Sequence, residues 1–462
     1  MATSSDIPAY FLQREEAGYP VVHDLPKFDL DAYIANYTGR TRLDRLFLIG
    51  CTCPPLALEA LKVAVVEATE GKDVAVYQKI VETIRQMAPN DPDAKPNLDW
   101  VERMEKQVKA ETDRLEFELK GYKNNLIKES IRMGNEDLGC HYQAVGELVQ
   151  ASKAFVRMRD YCTSAKHIAE MCLKLIVVSI EQGNWMAVQS NTLKVRNLQL
   201  KAEDAAEMTP KICVAAGLAQ LSSGRYFDAA QSFLQTDPQL ANTFHQVLTA
   251  NDVAVYGGVC ALASMDRKEL QTRVLENAGF RNYLELEPHI RRAITFFCNS
   301  KYSQCLEILD AYRADYLLDL RLQPHVASLY ADVRNKCIVQ YFIPFSCVSL
   351  AAMATAFATT EHAIEHELVR MIERGTLEAR VDTQRRLLVA KQTDLRRAVH
   401  TDALAMARKY ERMARLRLMR MNITTAGLDI KGSKSQPAYA PDPSSNGFGA
   451  GHGGMKAASG RR

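Results

Sequence analysis

Two stretches decide the fold: residues 324–345, PHVASLYADVRNKCIVQYFIPF, and residues 372–390, IERGTLEARVDTQRRLLVA. In the first, Val326, Leu329, Tyr330, Val333, Cys337, Ile338 and Tyr341 recur at three- and four-residue steps, the period of a helix. Pro324 sits in its first turn, where proline is tolerated, and Pro344 stops it. In the second stretch the period changes to two. Leu377, Ala379 and Val381 alternate with Glu378, Arg380 and Asp382, a polar turn follows, and Leu387, Leu388, Val389 and Ala390 form a short apolar run, so a small hairpin is predicted. Between the two, Ser349–Phe357 reads as a short helix. Thr359 or Thr360 caps another, whose apolar stripe is Ile364, Leu368, Val369 and Ile372 and whose stop is Gly375. Three helices followed by a two-stranded wing make a winged helix, over about 324–392.

Upstream the chain is helical and repetitive. Between Pro96 and Pro210 there is no proline and no sustained two-residue alternation. Val101, Met104, Val108, Leu115, Leu119, Tyr122 and Leu126 lie near a seven-residue repeat, read as one helix packing on bundle neighbours rather than as a coiled coil. Gly146-x-Leu148-x2-Ala151-x3-Phe155, Gly183-x-Trp185-x2-Val188-x3-Thr192 and Gly224-x-Tyr226-x2-Ala229-x3-Phe233 share a signature, and Ser300-x-Tyr302-x2-Cys305-x3-Leu309 is a looser copy. The spacings of 37, 41 and 76 residues place a degenerate copy near residue 264. Glycine closes one helix, the aromatic or leucine packs into the turn, and the small residue lets the next helix approach: a tetratricopeptide-like hairpin. Stacks of such hairpins bind partners along extended faces.

The reading divides the chain into an extended N-terminal arm (1–27), a helical-repeat region (28–280), a domain of 281–393 ending in the winged helix, a C-terminal helix (394–421) and a disordered Gly/Ser/Pro-rich basic tail (422–462). The arm is read as extended because Pro8, Pro20 and Pro26 interrupt it. Val399, Ala403, Met406, Tyr410 and Met413 form one stripe of the last helix, among many arginines. Of the formal charge of +3, residues 431–462 carry five basic and one acidic residue, +4, which leaves 3 − 4 = −1 for residues 1–430. A nearly neutral folded part predicts no strong nucleic-acid field. The 11 cysteines lie mostly at apolar helical positions, which suits buried thiols in a reducing compartment. With no signal-peptide pattern and no uninterrupted apolar run of membrane-spanning length, a soluble intracellular protein is expected.

With these residues in view the chain resembles the COP9 signalosome subunit 1 family of PCI-domain proteins. The resemblance is densest in YKNNLIKESIRMGNEDLGCHY (122–142) and RDYCTSAKHIAEMC (159–172). It continues through AVYGGVCALASMDRKELQ (254–271), LELEP (284–288), LQPH (322–325) and IERGTLEARVD (372–382), and covers roughly residues 28–421. It implies a non-catalytic scaffold of the complex that removes a ubiquitin-like modifier from cullin subunits of ubiquitin ligases. Winged helices of several PCI subunits would join edge to edge, and their last helices would gather in one bundle. The partners implied are other PCI subunits and, indirectly, cullin-RING ligases, in cytoplasm and nucleus, with no cofactor. The interface residues expected on this reading are Leu387, Leu388, Val389 and Ala390 of the wing, with Met406, Tyr410 and Met413 of the last helix. The wing's second strand is expected to offer an unpaired edge. The arm and tail depart from the family's pattern.

Rival readings are a PCI subunit of the proteasome lid or of a translation-initiation-type assembly, or a winged-helix nucleic-acid binder. A DNA-reading third helix should be basic, yet this one carries Glu361, Glu365, Glu367 and Glu373 against Arg370 and Arg374. Catalysis is expected to be absent. None of the ten histidines is followed by another two places on, as a deconjugating metalloprotease would need. His362-Ala-Ile-Glu365-His366 has the spacing of an inverted zincin but no third ligand in view, and reads as a surface charge cluster. Cys51 and Cys53 are read as part of a turn.

Overall fold

The computed structural model describes residues 6–237, 244–391 and 395–428. They form two bodies, one ending at Ala390 and the other beginning at Lys391, each taken by itself. The first starts with helices α1 (Asp6–Glu16), α2 (Leu30–Ile34), α3 (Arg40–Thr52), α4 (Ala57–Glu70) and α5 (Val74–Met87). The expected extended arm is therefore helical over Asp6–Glu16. Pro8 falls in the first turn, where it breaks no intrahelical bond, and Phe11 is buried in the core of these helices. Residues 1–5 lie outside the described residues. Cys51 and Cys53 are buried where α3 turns into Pro54–Leu56.

The repeats follow: α6 (Leu98–Asn124), α7 (Lys128–Val145), α8 (Leu148–Met158), α9 (Ala165–Glu181), α10 (Trp185–Arg196), α11 (Ala202–Ser222) and α12 (Tyr226–Leu234). Next come α13 (Ala250–Ser264), α14 (Arg267–Glu269) running into a π-helical turn at Leu270–Leu275, α15 (Ala278–Leu286), α16 (Pro288–Cys298), α17 (Tyr302–Ala311) and α18 (Arg313–Leu317). Gly146, Gly183 and Gly224 take φ of 93°, 71° and 72°, the left-handed conformation that ends a helix and reverses the chain. Ser300 takes 62° at the same place in the fourth copy. Ala151, Val188, Ala229 and Cys305 are fully buried at the crossing position of each hairpin. The aromatic ring ending the signature is met by a glycine on the preceding helix. A Cβ on Gly139 would come within 2.4 Å of Phe155, and one on Gly217 within 2.8 Å of Phe233. The degenerate copy is one residue later than the spacing suggests, with the turn at Met265 and with Leu270 and Val274 fully buried. Along α6, Leu115 and Leu119 pack with Ile131 and Leu138 of α7 and with Tyr122, whereas Leu126, the last residue of the expected stripe, lies beyond the helix and is exposed.

The body ends in α19 (Val326–Phe342), β1 (Cys347–Ser349), α20 (Leu350–Ala356), α21 (Glu361–Glu373), β2 (Ala379–Asp382) and β3 (Leu387–Ala390). Ser349 and Thr360 cap α20 and α21 through their hydroxyls, and Gly375 ends the second at φ 72°. The sheet is antiparallel with order β1-β3-β2. One hydrophobic core runs without a seam from Ile176 through Phe233, Tyr256 and Cys337 to Leu388, so the last repeats and the winged helix are packed as one piece.

A buried ionic knot ties the N-terminal helices to this piece. Arg45 on α3 is 0% exposed; its Nη1 donates to Asp319 Oδ2 at 2.7 Å and its Nη2 to Asp252 Oδ2 and Tyr256 Oη, both at 3.2 Å. Tyr37 donates to both oxygens of Asp252, and Tyr256 donates to Asp319 Oδ1 at 2.7 Å. Burial would raise both carboxyls. At Asp319 the guanidinium and hydrogen bonds outweigh it and hold the pKa below the ordinary value, whereas at Asp252 desolvation wins and the pKa is raised. Such a knot adds little net stability, but removing one member strands the others in a dry interior.

Candidate partner interface

The wing forms because Leu388 and its neighbours can bury one face against α19–α21. Leu388 is fully enclosed, Leu387 and Ala390 are half-buried, and Val389 is 37% exposed on the other face. The sheet corrects one expectation. Leu387–Ala390 is the middle strand, since β1 pairs with it through Cys347↔Val389, Val348↔Leu388 and Ser349↔Leu387 while β2 occupies its other side. It has no free edge to offer a partner; the sheet's margins are β1 and β2. The sequence hides β1 because three residues, Cys-Val-Ser, are too few to establish a period, and they lead directly into a capped helix.

Helix α21 is held by its own acids. Glu361 meets Arg386 of the wing turn at 2.9 Å and Glu367 meets Arg334 of α19 at 3.0 Å, so these carboxylates are spent inside the winged helix. His362 and His366 lie 4.6 Å apart by ring centroid on its exposed side. Among the described residues no three His, Cys, Asp or Glu side chains are grouped so as to hold a metal ion. No single described helix is long and apolar enough to cross a membrane.

The second body is the helix α22 (Leu395–Thr425), four residues longer at its C-terminal end than the expected 394–421. Thr393 and the tail from 429 on lie outside the described residues. Met406, Tyr410 and Met413 are 73%, 75% and 40% exposed and stand one helical turn apart. The stripe continues past the expected residues to Leu418 and Met421, which line the same shallow trough as Met406 and Met413. That extension was legible from the spacing, since Met421 stands eight residues, about two turns, beyond Met413. Arg417 stands within the same trough as these apolar side chains, and Arg415 is paired with Glu411 at 2.7 Å. A helix with this many large apolar side chains in water has a strong drive to associate: burying Met406, Tyr410 and Met413 is worth roughly 1.5–3 kcal/mol each before ordering costs.

The chain matches two family models, "26S proteasome subunit RPN7" over residues 97–273 and "PCI domain" over residues 309–392. Over 421 residues it is 56% identical to a protein of Emericella nidulans named COP9 signalosome complex subunit 1, covering 89% of this chain and 84% of the relative. Proteins of the same name from Neurospora crassa and Arabidopsis thaliana are 44% and 39% identical. The first match covers 86% of this chain and 90% of the relative, the second 87% and 91%.

Proposed function

The chain belongs to the COP9 signalosome subunit 1 family of PCI-domain proteins, and we propose that it acts as a non-catalytic scaffold of that complex. In this role it supports removal of a ubiquitin-like modifier from cullins without touching the modifier itself, working in the cytoplasm and the nucleus. The winged helix joins those of other PCI subunits at a sheet margin, β1 or β2, and α22 enters a shared helical bundle. The observation that carries this reading is the row of exposed large apolar side chains from Met406 to Met421 on a helix forming a body of its own. An isolated helix of this composition gains by packing against other helices, and Lys409 and Arg417 in the same trough suit neighbours that carry acidic groups.

The test is reconstitution with the remaining signalosome subunits. Met406→Glu with Tyr410→Glu is expected to lower incorporation of this chain at least tenfold, with the melting of the repeat body unchanged. The purified chain alone is expected to release no modifier from a conjugated cullin. Normal incorporation of the double variant, or a defect confined to binding of DNA, would overturn the reading.

A further inference from the structure

Beside the buried ionic knot lies a partly enclosed cavity of about 280 Å³, just below the range for drug-sized ligands and so suited to a smaller molecule. Its walls are aromatic. His289 stacks on Tyr312 at 3.8 Å, and Phe28 stacks on Tyr33 at 4.4 Å. Its charged groups are mostly acidic: Asp252 and Asp319 at the inner end, with Glu287 and Asp315 also on the lining. Lys27 on the lining opposes them, as do Arg45 and Arg321 near Asp319, so with His289 neutral four carboxylates face three cations, an excess of one negative charge.

The site already holds one ammonium group. Lys27 places Nζ 4.0 Å from the centre of the Tyr312 ring, while its backbone N–H donates to Asp315 Oδ1 at 2.8 Å. Around that ring the groups are continuous. The other ring stacked with Tyr312, His289, is bonded to Tyr316 Oη at 2.8 Å and lies 3.2 Å from Glu287, which also accepts from Asn251. Flat π faces with carboxylates at their edges recognise alkylammonium ions: the ring quadrupole attracts the charge, and the carboxylates accept its N–H bonds. An anion would meet the excess negative charge. A bare metal ion would find aromatic faces where it needs several free oxygens. Burial raises the carboxyl of Asp315, and the neighbouring Lys27 works against that rise.

We propose that this cavity binds a small organic cation of the alkyldiamine or polyamine class, one ammonium group taking the place of Lys27 Nζ on the face of Tyr312 that His289 does not cover, with Glu287 and Asp315 on the same lining. The resident Lys27 ammonium competes for the same ring, so it weakens the site while marking its chemistry.

Calorimetric titration of the full-length protein with putrescine and with spermidine, at constant ionic strength, tests this. One saturable equivalent is expected, weakened at least tenfold in Glu287→Gln and in Asp315→Asn. Lys27→Met should move affinity the other way, tightening it several-fold, which separates loss of a ligand contact from loss of fold. Binding to neither wild type nor Lys27→Met would refute the proposal. So would binding that persists unchanged in the two carboxamide variants, or that magnesium chloride displaces at equal ionic strength, the mark of diffuse attraction.

Discussion

Gly217→Ala is the sharpest test of how the repeats are built. A methyl group at this position of α11 would lie 2.8 Å from two ring atoms of Phe233 and 3.0 Å from a third, inside any tolerated contact. The ring has little room to retreat. It is fully buried and packs edge-on to Tyr256 at 6.0 Å, and its root is held close to α13, where a Cβ on Gly257 would lie 3.1 Å from Phe233 Cβ. Overpacking a rigid site of this kind costs about 1–3 kcal/mol. Replacing a mid-helix glycine by alanine returns about 0.5–1 kcal/mol. The net expectation is a loss of up to about 2.5 kcal/mol. In a Phe233→Leu background the obstructing ring is gone, so the same substitution should stabilise by about 0.5–1 kcal/mol. The assay is urea unfolding of wild type, both single variants and the double variant, followed by circular dichroism. A sign reversal between backgrounds is the predicted signature of contact. If Gly217→Ala stabilises wild type, or if the two effects add, the glycine is not there to admit the ring and the repeat register is wrong.

Glu181 lines a cleft beside α3 and α7 with one oxygen accepting from Gln143 at 2.7 Å and the other unbonded; burial pushes its carboxyl from 4.5 to about 7. Below pH 4.5 the group is protonated in folded and unfolded chains alike; between 4.5 and about 7 only the folded chain keeps the proton, so its contribution to stability falls as pH rises and is gone above about 7. Glu181→Gln should therefore stabilise by about 1–3 kcal/mol at pH 8 and by nearly nothing at pH 4.5, and equal effects at both values in urea melts would sink the idea. Arg45→Met should cost about 3–5 kcal/mol by leaving Asp252 and Asp319 facing each other unpaired. Adding Asp319→Asn to that variant should recover part of the loss; a further drop would show that repulsion is not the cause.

Helix periods, left-handed glycines and caps are local, and they were readable in the sequence. The hairpin turns at Gly146, Gly183 and Gly224, the cap at Thr360 and the strand Leu387–Ala390 all stand where spacing puts them. Ser300 shows that the fourth copy was readable even without its glycine. What could not be read is long-range pairing. Arg45 meets partners 207 and 274 residues away, and nothing about an arginine inside an apolar helix announces that it will be enclosed rather than solvated. The same limit hid β1, whose three residues have meaning only once Val389 and Leu388 lie beside them. It hid α1 as well, where three prolines outweighed one buried phenylalanine. At the interface, Met406, Tyr410 and Met413 were legible as a stripe, whereas the strand thought to offer an edge proved to be the central one.

If α22 carries this subunit into its complex, incorporation of shortened chains measures that directly. The chain ended after Lys391 and the chain ended after Leu428 would each be reconstituted with the other signalosome subunits, and the stoichiometry in the purified assembly measured by native mass spectrometry. The shorter chain is expected to be absent from the assembly while its repeat body melts as in the full protein, and the longer chain to enter at one copy. Full incorporation of the chain ended after Lys391 would contradict that role of α22.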